Sequence, residues 1–201
     1  MSKILITGFE PFDGYSLNPS AEIAKALNGY ENGDSSVIGA VLPLDYENAM
    51  EEFDKIIKKT NPEIVLCCGQ ANRATVTIER IAINAIGIKR PDNYDNIPES
   101  DIIDPEGPVA YFSNIDPHPL VEALSEQGIP ASVSYHAGIY GCNWLLYKVM
   151  RLIDTGKLNA RATFVHVPPL PSQAIEKDSP SLATMTLDML VRALEIIIEQ
   201  L

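Results

Sequence analysis

Glu63-Ile64-Val65-Leu66-Cys67-Cys68-Gly69 holds five successive residues that pack as hydrophobes and then stops at a glycine. A strand with one wet face alternates apolar and polar side chains. An unbroken apolar run of this length marks a strand covered on both faces, as in parallel sheets flanked by helices. The segments on either side should then alternate between strand and helix, and they do. Lys3 to Thr7 is a short apolar run reaching Gly8; Asn18-Pro19 offers an N-cap with proline at the first helical position, and Gly29 closes that helix. Ser36 to Leu42 reads as a second strand, and Asp45 caps a predicted helix to Thr60 with Met50, Phe53, Ile56 and Ile57 on one face. Downstream, Thr75, Thr77 and Glu79 alternate with Val76, Ile78 and Arg80, which predicts a half-buried strand. Gly87 to Pro108, rich in Pro, Asp, Asn and Gly, reads as one long loop. A helix is predicted over Asp116 to Gln127, a strand over Ala131 to Tyr135, a helix from Cys142 through Val149 and a strand over Ala162 to Val167. Pro168, Pro169 and Pro171 stiffen the exit, and a final helix from Ser181 carries Leu187, Leu190, Leu194 and Ile198. This order predicts an α/β fold, a three-layer α/β/α sandwich with a mainly parallel, twisted central sheet, and places functional residues where strands end.

At 201 residues, 46% of them hydrophobic, the chain suits one core, so a single domain over 1–201 is expected. With 15 Lys and Arg against 27 Asp and Glu, the net charge of −12 opposes binding to nucleic acid or to anionic membranes. No segment approaches about 18 apolar residues, and the first apolar run is too short for a signal peptide. A soluble, cytoplasmic protein is expected. Three cysteines cannot all pair, so free thiols are expected as well.

Cys67 and Cys68 are neighbours on a strand, so they face opposite sides and read as packing residues. Cys142 differs, because it follows a glycine-containing turn at the start of a helix. There the helix dipole should lower the thiol below its free value of ~8.5, and first-turn N–H groups could hold an oxyanion. A nucleophilic thiol needs a base. His166, at a strand end, is the leading candidate, ahead of His136, which precedes the turn, and of His118, which lies between prolines. A third group that orients the base should be an acid in a costly place, and Glu79 sits between Ile78 and Ile81. Pairing of Glu79 with Arg80, or exposure to solvent, explains its position equally well. No cluster has metal-ligand spacing and neither glycine loop resembles a phosphate cradle, so no metal or cofactor is expected.

Several segments then line up in order: Thr7-Gly8-Phe9-Glu10-Pro11-Phe12 with Asn18-Pro19, Gly69-Gln70-Ala71, Glu79-Arg80-Ile81-Ala82-Ile83-Asn84, Pro91-Asp92-Asn93, Ala137-Gly138 with Cys142-Asn143, and Phe164-Val165-His166-Val167-Pro168. Together they resemble the pyroglutamyl peptidase I family, intracellular cysteine peptidases that remove an N-terminal pyroglutamyl residue from peptides. The resemblance implies Cys142 as nucleophile, His166 as base and Glu79 as the group orienting it. It implies Phe9 and Phe12 as walls for the lactam ring, Asn18 and Gln70 as polar contacts, peptides with N-terminal pyroglutamate as partners, and a dimer or tetramer. Val109-Ala110-Tyr111-Phe112 is a candidate subunit contact or a buried edge strand. The rim departs from the family pattern. Lys89 stands in an arginine's place, Arg90 at an apolar pocket position, Tyr140-Gly141 where two apolar residues are common, Leu44 for a threonine or valine, and Pro169 for a tyrosine. These departures leave open a homologue that binds lactams without turnover; a nucleoside phosphorylase would need a phosphate site that the sequence lacks.

Overall fold

The computed structural model describes residues 2–201. In chain order the elements are β1 (Ser2–Phe9), α1 (Pro19–Leu27), β2 (Glu31–Asn32), β3 (Ser35–Leu42), α2 (Ala49–Thr60), β4 (Ile64–Gln70), β5 (Val76–Glu79), β6 (Ile81–Ile83), β7 (Ala110–Phe112), α3 (Pro117–Glu126), β8 (Ala131–Ser134), α4 (Gly141–Asp154), β9 (Arg161–Val167), α5 (Pro171–Glu176) and α6 (Leu187–Glu199). Seven strands form one sheet in the order β2-β3-β1-β4-β9-β5-β8, while β6 and β7 pair by themselves. From β3 to β9 the pairing is parallel. β5 runs antiparallel to β9 and parallel to β8.

Helices cover both faces, as an apolar central sheet requires. α1, α3 and α6 bury Ile23, Leu124 and Leu194 against Ile4, Leu66, Cys68 and Val165. α2 and α4 bury Phe53, Leu145 and Val149 against Leu5, Val65, Cys67 and Phe164. Cys67 and Cys68 thus divide between the two layers, as strand alternation demands, and every residue of β4 is buried. Among the described residues no helix is long and apolar enough to cross a membrane.

Several sequence expectations are corrected. β5 is buried along its whole length, because it lies inside the sheet between β9 and β8. The helix expected at Asp45 begins at Ala49; the Asp45 carboxylate instead accepts from the Glu47 and Asn48 N–H groups and caps the preceding turn. α6 begins at Leu187 rather than near Ser181, because the hydroxyl of Thr186 supplies its N-cap. α5 is an addition, opened by Pro171 and by Gln173, whose side-chain oxygen accepts from the Leu170 N–H. Val109–Phe112 is not a buried edge, since Val109 is 85% and Phe112 61% exposed. The long loop before it is irregular but pinned. Asn84 exchanges hydrogen bonds with the Asp104 backbone, and Arg151 Nε pairs with the Asp104 carboxylate at 2.9 Å.

α1 fixes the loop that precedes it. Asn18 caps the helix by accepting from the Ser20 N–H at 3.0 Å, and its amide donates to the Glu10 carbonyl. The helix approaches the sheet closely at two glycines: a Cβ on Gly8 would strike the Ser20 backbone, and one on Gly39 the Ala24 carbonyl. Neither obstacle is a flexible side chain, so relief requires moving the helix. Gly39→Ala should therefore destabilise the fold by about 3 kcal/mol, read as a lower urea midpoint at unchanged slope. An unchanged midpoint would show that α1 floats on the sheet.

Candidate active site

The carboxyl ends of β4 and β9 and the last residue of β5 meet under the first turn of α4. On β9, Phe164 and His166 share the α4-facing side, and their rings lie 4.7 Å apart. Across the antiparallel pairing Thr77 sits opposite His166 and Glu79 opposite Phe164. This register brings the Glu79 carboxylate to His166: Nδ1 lies 2.7 Å from Oε1. Glu79 is fully buried and His166 nearly so. Arg80, the alternative partner, turns away to the Ser113 carbonyl and the Phe112 ring.

Glu79 has a second partner that sequence reasoning missed. Arg73 donates through Nη1 to Glu79 Oε1 at 2.8 Å. Burial raises the carboxyl, but the His166 hydrogen bond and charge, with help from Ser134 and Arg73, outweigh it and hold the pKa below its ordinary value. Burial pushes the imidazole below its ordinary value despite Glu79, and Arg73 pushes in the same direction. At neutral pH the pair is therefore carboxylate and neutral imidazole. Nδ1–H then donates to Glu79, and the Nε2 lone pair is left free to take a proton.

Cys142 is the second residue of α4, whose N-cap is Tyr140. The first helical bond runs from the Trp144 N–H to the Tyr140 carbonyl, so the N–H groups of Gly141, Cys142 and Asn143 have no acceptor within the helix. Asn143 anchors this turn. Its side chain accepts from the Ile83 N–H and donates to the Ile83 and Ala85 carbonyls, all at 2.9 Å. The sulfur stands over Gly69, where a Cβ would come within 2.9 Å of Sγ and 2.7 Å of the Phe164 ring. Gly69 is the sheet partner of His166, so the thiol stands over the strand next to the one that carries the histidine.

The thiol differs from expectation. Burial, and then the negative charge of Glu79, push Cys142 up to about 12, against the weaker opposing pull of Arg73 and Arg90. The resting thiol is protonated. Cys67 is pushed up to about 12 by burial as well, and all three thiols are free. His136 is exposed, with its Nδ1 accepting from the Gly138 N–H, and His118 pairs with Asp116 at the surface. Neither joins the cluster.

The family model of pyroglutamyl peptidase matches residues 2–201. The chain belongs to the pyroglutamyl peptidase family. It is 42% identical to the pyrrolidone-carboxylate peptidase of Bacillus subtilis over 96% of this chain and 89% of that one. The Thermosipho africanus protein of the same name is also 42% identical, over 96% and 93%. Pyroglutamyl peptidase I from Bacillus amyloliquefaciens superposes with a TM-score of 0.92 at 38% identity, covering 97% of this chain and 92% of that one. A mutant pyrrolidone carboxyl peptidase from P. furiosus gives 0.93 at 38%, covering 98% and 97%.

The remaining residues that the pyroglutamyl peptidase resemblance singled out fall into two groups. Phe9 is buried under α4, while Phe12, Gln70 and Arg90 line a cavity of about 310 Å³ together with Asp13, Tyr15, Ala71, Asn72 and Lys177. Gln70 Oε1 accepts from Gln173 Nε2 at 2.9 Å, so α5 orients this amide. Arg90 lies across the mouth: its guanidinium is 3.9 Å from the Tyr140 ring centroid and 2.5 Å from Asp13 Oδ2. Tyr140 is itself fixed by donating to the Pro91 carbonyl. Asn18 is engaged in capping, as described. Lys89 is exposed on the far side of Arg90, in a groove with Ile88 and Ile139, and has no ion-pair partner among the described residues. Gly141 leaves room for Leu44, whose Cδ1 occupies the place that a Cβ there would take. Gln173 carried a readable signal, proline at the first helical position and glutamine at the third; Arg73, in a loop without periodicity, carried none.

Iodoacetamide should alkylate Cys142 ahead of Cys67 and Cys68, because Cys142 alone is not fully buried. Its rate should keep climbing past pH ~8.5, the value for a free thiol. A plateau below about pH 8 would contradict a protonated resting thiol.

Proposed function

We propose that this chain is a cysteine exopeptidase that hydrolyses the N-terminal pyroglutamyl residue from peptides, with Cys142 as nucleophile, His166 as general base and acid, and Glu79 as the residue that orients His166. The observation that carries this reading is the buried His166–Glu79 hydrogen bond, set beside the strand over which the Cys142 sulfur stands. As the thiol attacks the pyroglutamyl carbonyl, its proton passes to His166 Nε2 and a carbon–sulfur bond forms. The carbonyl becomes an oxyanion facing the free N–H groups at the start of α4. Collapse breaks the amide bond, His166 returns the proton to the departing amine, and a thioester remains on Cys142. Water, deprotonated by His166, then releases pyroglutamate and restores the thiol.

The lactam, which has no charge, lies against Phe9 and Phe12 with Gln70 as its polar contact. Free glutamate is disfavoured there because its charges would be buried without partners. Arg90 closes the mouth against Tyr140 with its charge taken up by Asp13, and Asn18 acts by holding the Phe9–Phe12 loop to α1. Residues 1–201 act as one domain. A homo-oligomer, dimer or tetramer, is supported by the exposed Phe112 of β7 and the exposed Val109 just before that strand. A cytoplasmic location is supported by the free thiols, which need a reducing setting.

A pyroglutamyl-7-amino-4-methylcoumarin assay tests the activity: the wild type should release the fluorophore, and Cys142→Ala should retain less than about a thousandth of the rate. Hydrolysis surviving that change would exclude Cys142 as nucleophile. The pocket wall has its own test. Gly141→Ala forces Leu44 toward the lactam and should raise KM about 10-fold, and Leu44→Ala in the same chain should recover most of the loss. Additive effects of the two changes would show that these residues do not share the wall.

A further inference from the structure

We propose that Arg73 is a positioning residue of this site: its guanidinium fixes the Glu79 carboxylate on His166 and ties that pair to the loop leading into Cys142. The inference rests on the catalytic reading of Glu79 and His166 given above.

The geometry is that of a shared acceptor. Glu79 Oε1 receives both His166 Nδ1 at 2.7 Å and Arg73 Nη1 at 2.8 Å, while the buried Oε2 has no hydrogen-bond partner among the described residues. A carboxylate with no solvent exposure is costly unless it is paired. A neutral imidazole supplies a hydrogen bond but no countercharge, and Arg73 is the one Lys or Arg that pairs with Glu79 among the described residues. Without it, Glu79 meets its desolvation cost by drawing a proton onto His166, which removes the free Nε2 lone pair that the thiol proton requires.

Arg73 also ties the paired strands β5 and β8 to the segment that leads into α4. The two hydrogens of Nη1 are shared among Glu79 and two further acceptors, Thr77 Oγ1 on β5 at 2.5 Å and Ser134 Oγ at the end of β8 at 3.1 Å. Nη2 donates to the His136 carbonyl at 2.9 Å, four residues before the Tyr140 cap of the Cys142 helix. One side chain thus spans the acid, the neighbouring strand and the segment that delivers the nucleophile. A planar guanidinium fork suits this role better than a point charge.

The groups facing His166 are Glu79 from β5 and Arg73 from the β4–β5 loop; β4 presents the bare Gly69, and the Cys142 sulfur of α4 stands over that glycine. Arg73 opposes the pull of Glu79 on both the imidazole and the thiol. Its loss should therefore raise the folded pKa of His166. Because the base works only when neutral, the acidic limb of kcat/KM should move to higher pH.

The experiment measures kcat and KM against pH on the coumarin reporter for wild type, Arg73→Met and Arg73→Lys. Arg73→Met should lower kcat about 100-fold with KM within about twofold, and shift the acidic limb up by about one pH unit. Arg73→Lys should restore the limb and most of kcat. A limb that stays in place in Arg73→Met, or a loss that Lys does not relieve, would overturn the proposal and leave Arg73 a purely structural residue. If Arg73→Met does not fold, Arg73→Gln carries the same test, since its amide can keep neighbouring hydrogen bonds without the charge. The His166 ring is also titrated by 15N NMR in each protein. Its midpoint should rise in the neutral variants whether or not the wild type cleaves the reporter, so failure of the activity reading and failure of the Arg73 inference are separable.

Discussion

A carboxylate and an imidazole sealed together inside a sheet constrain much of this molecule. The Glu79–His166 bond, at 2.7 Å, exists because β5 enters antiparallel to β9, which sets Thr77 and Glu79 on the face that carries Phe164 and His166. Burial makes the pair demanding, and the surroundings answer it. Arg73 supplies charge, the Ser113 and Thr163 hydroxyls donate to the Glu79 carbonyl, and α4 covers the layer with Leu145 and Val149.

The same economy of space governs the approach of α4. Its first turn can descend on the sheet because the next-to-last residue of β4, Gly69, has no side chain, and because Gly141 yields its own volume to Leu44. Asn143 then fixes the height of the turn by mimicking a strand neighbour toward the Ile83 backbone. Removing those amide bonds would leave buried backbone groups unpaired, at about 1–3 kcal/mol each. The position of the Cys142 thiol is thus set by two glycines and an asparagine rather than by contacts of the thiol itself.

Much of this was legible in the chain. The apolar run ending at Gly69 gave the central strand, Asn18-Pro19 gave α1, and Cys142 at a helix start and His166 at a strand end were visible as positions. The burial of β5 was not. Alternating Thr75, Thr77 and Glu79 signal one polar face, and the usual reading of a polar face is solvent; here that face turns inward to Arg73 and His166. Arg73 was hidden for a related reason, since its bonds to β5, β8 and the 135–140 segment arise only when three separate elements close around one loop. The direction of the thiol shift was misread because helix position is a local property, while burial and the nearby Glu79 charge are tertiary ones.

The central claim is that Cys142, served by His166 and Glu79, attacks the pyroglutamyl carbonyl. Reaction with pyroglutamyl chloromethyl ketone followed by peptide mass mapping tests it most directly. One adduct per chain is expected, on Cys142, with activity lost in proportion and with protection by free pyroglutamate. A label on Cys67, Cys68 or any other residue, or full activity after stoichiometric labelling of Cys142, would contradict it.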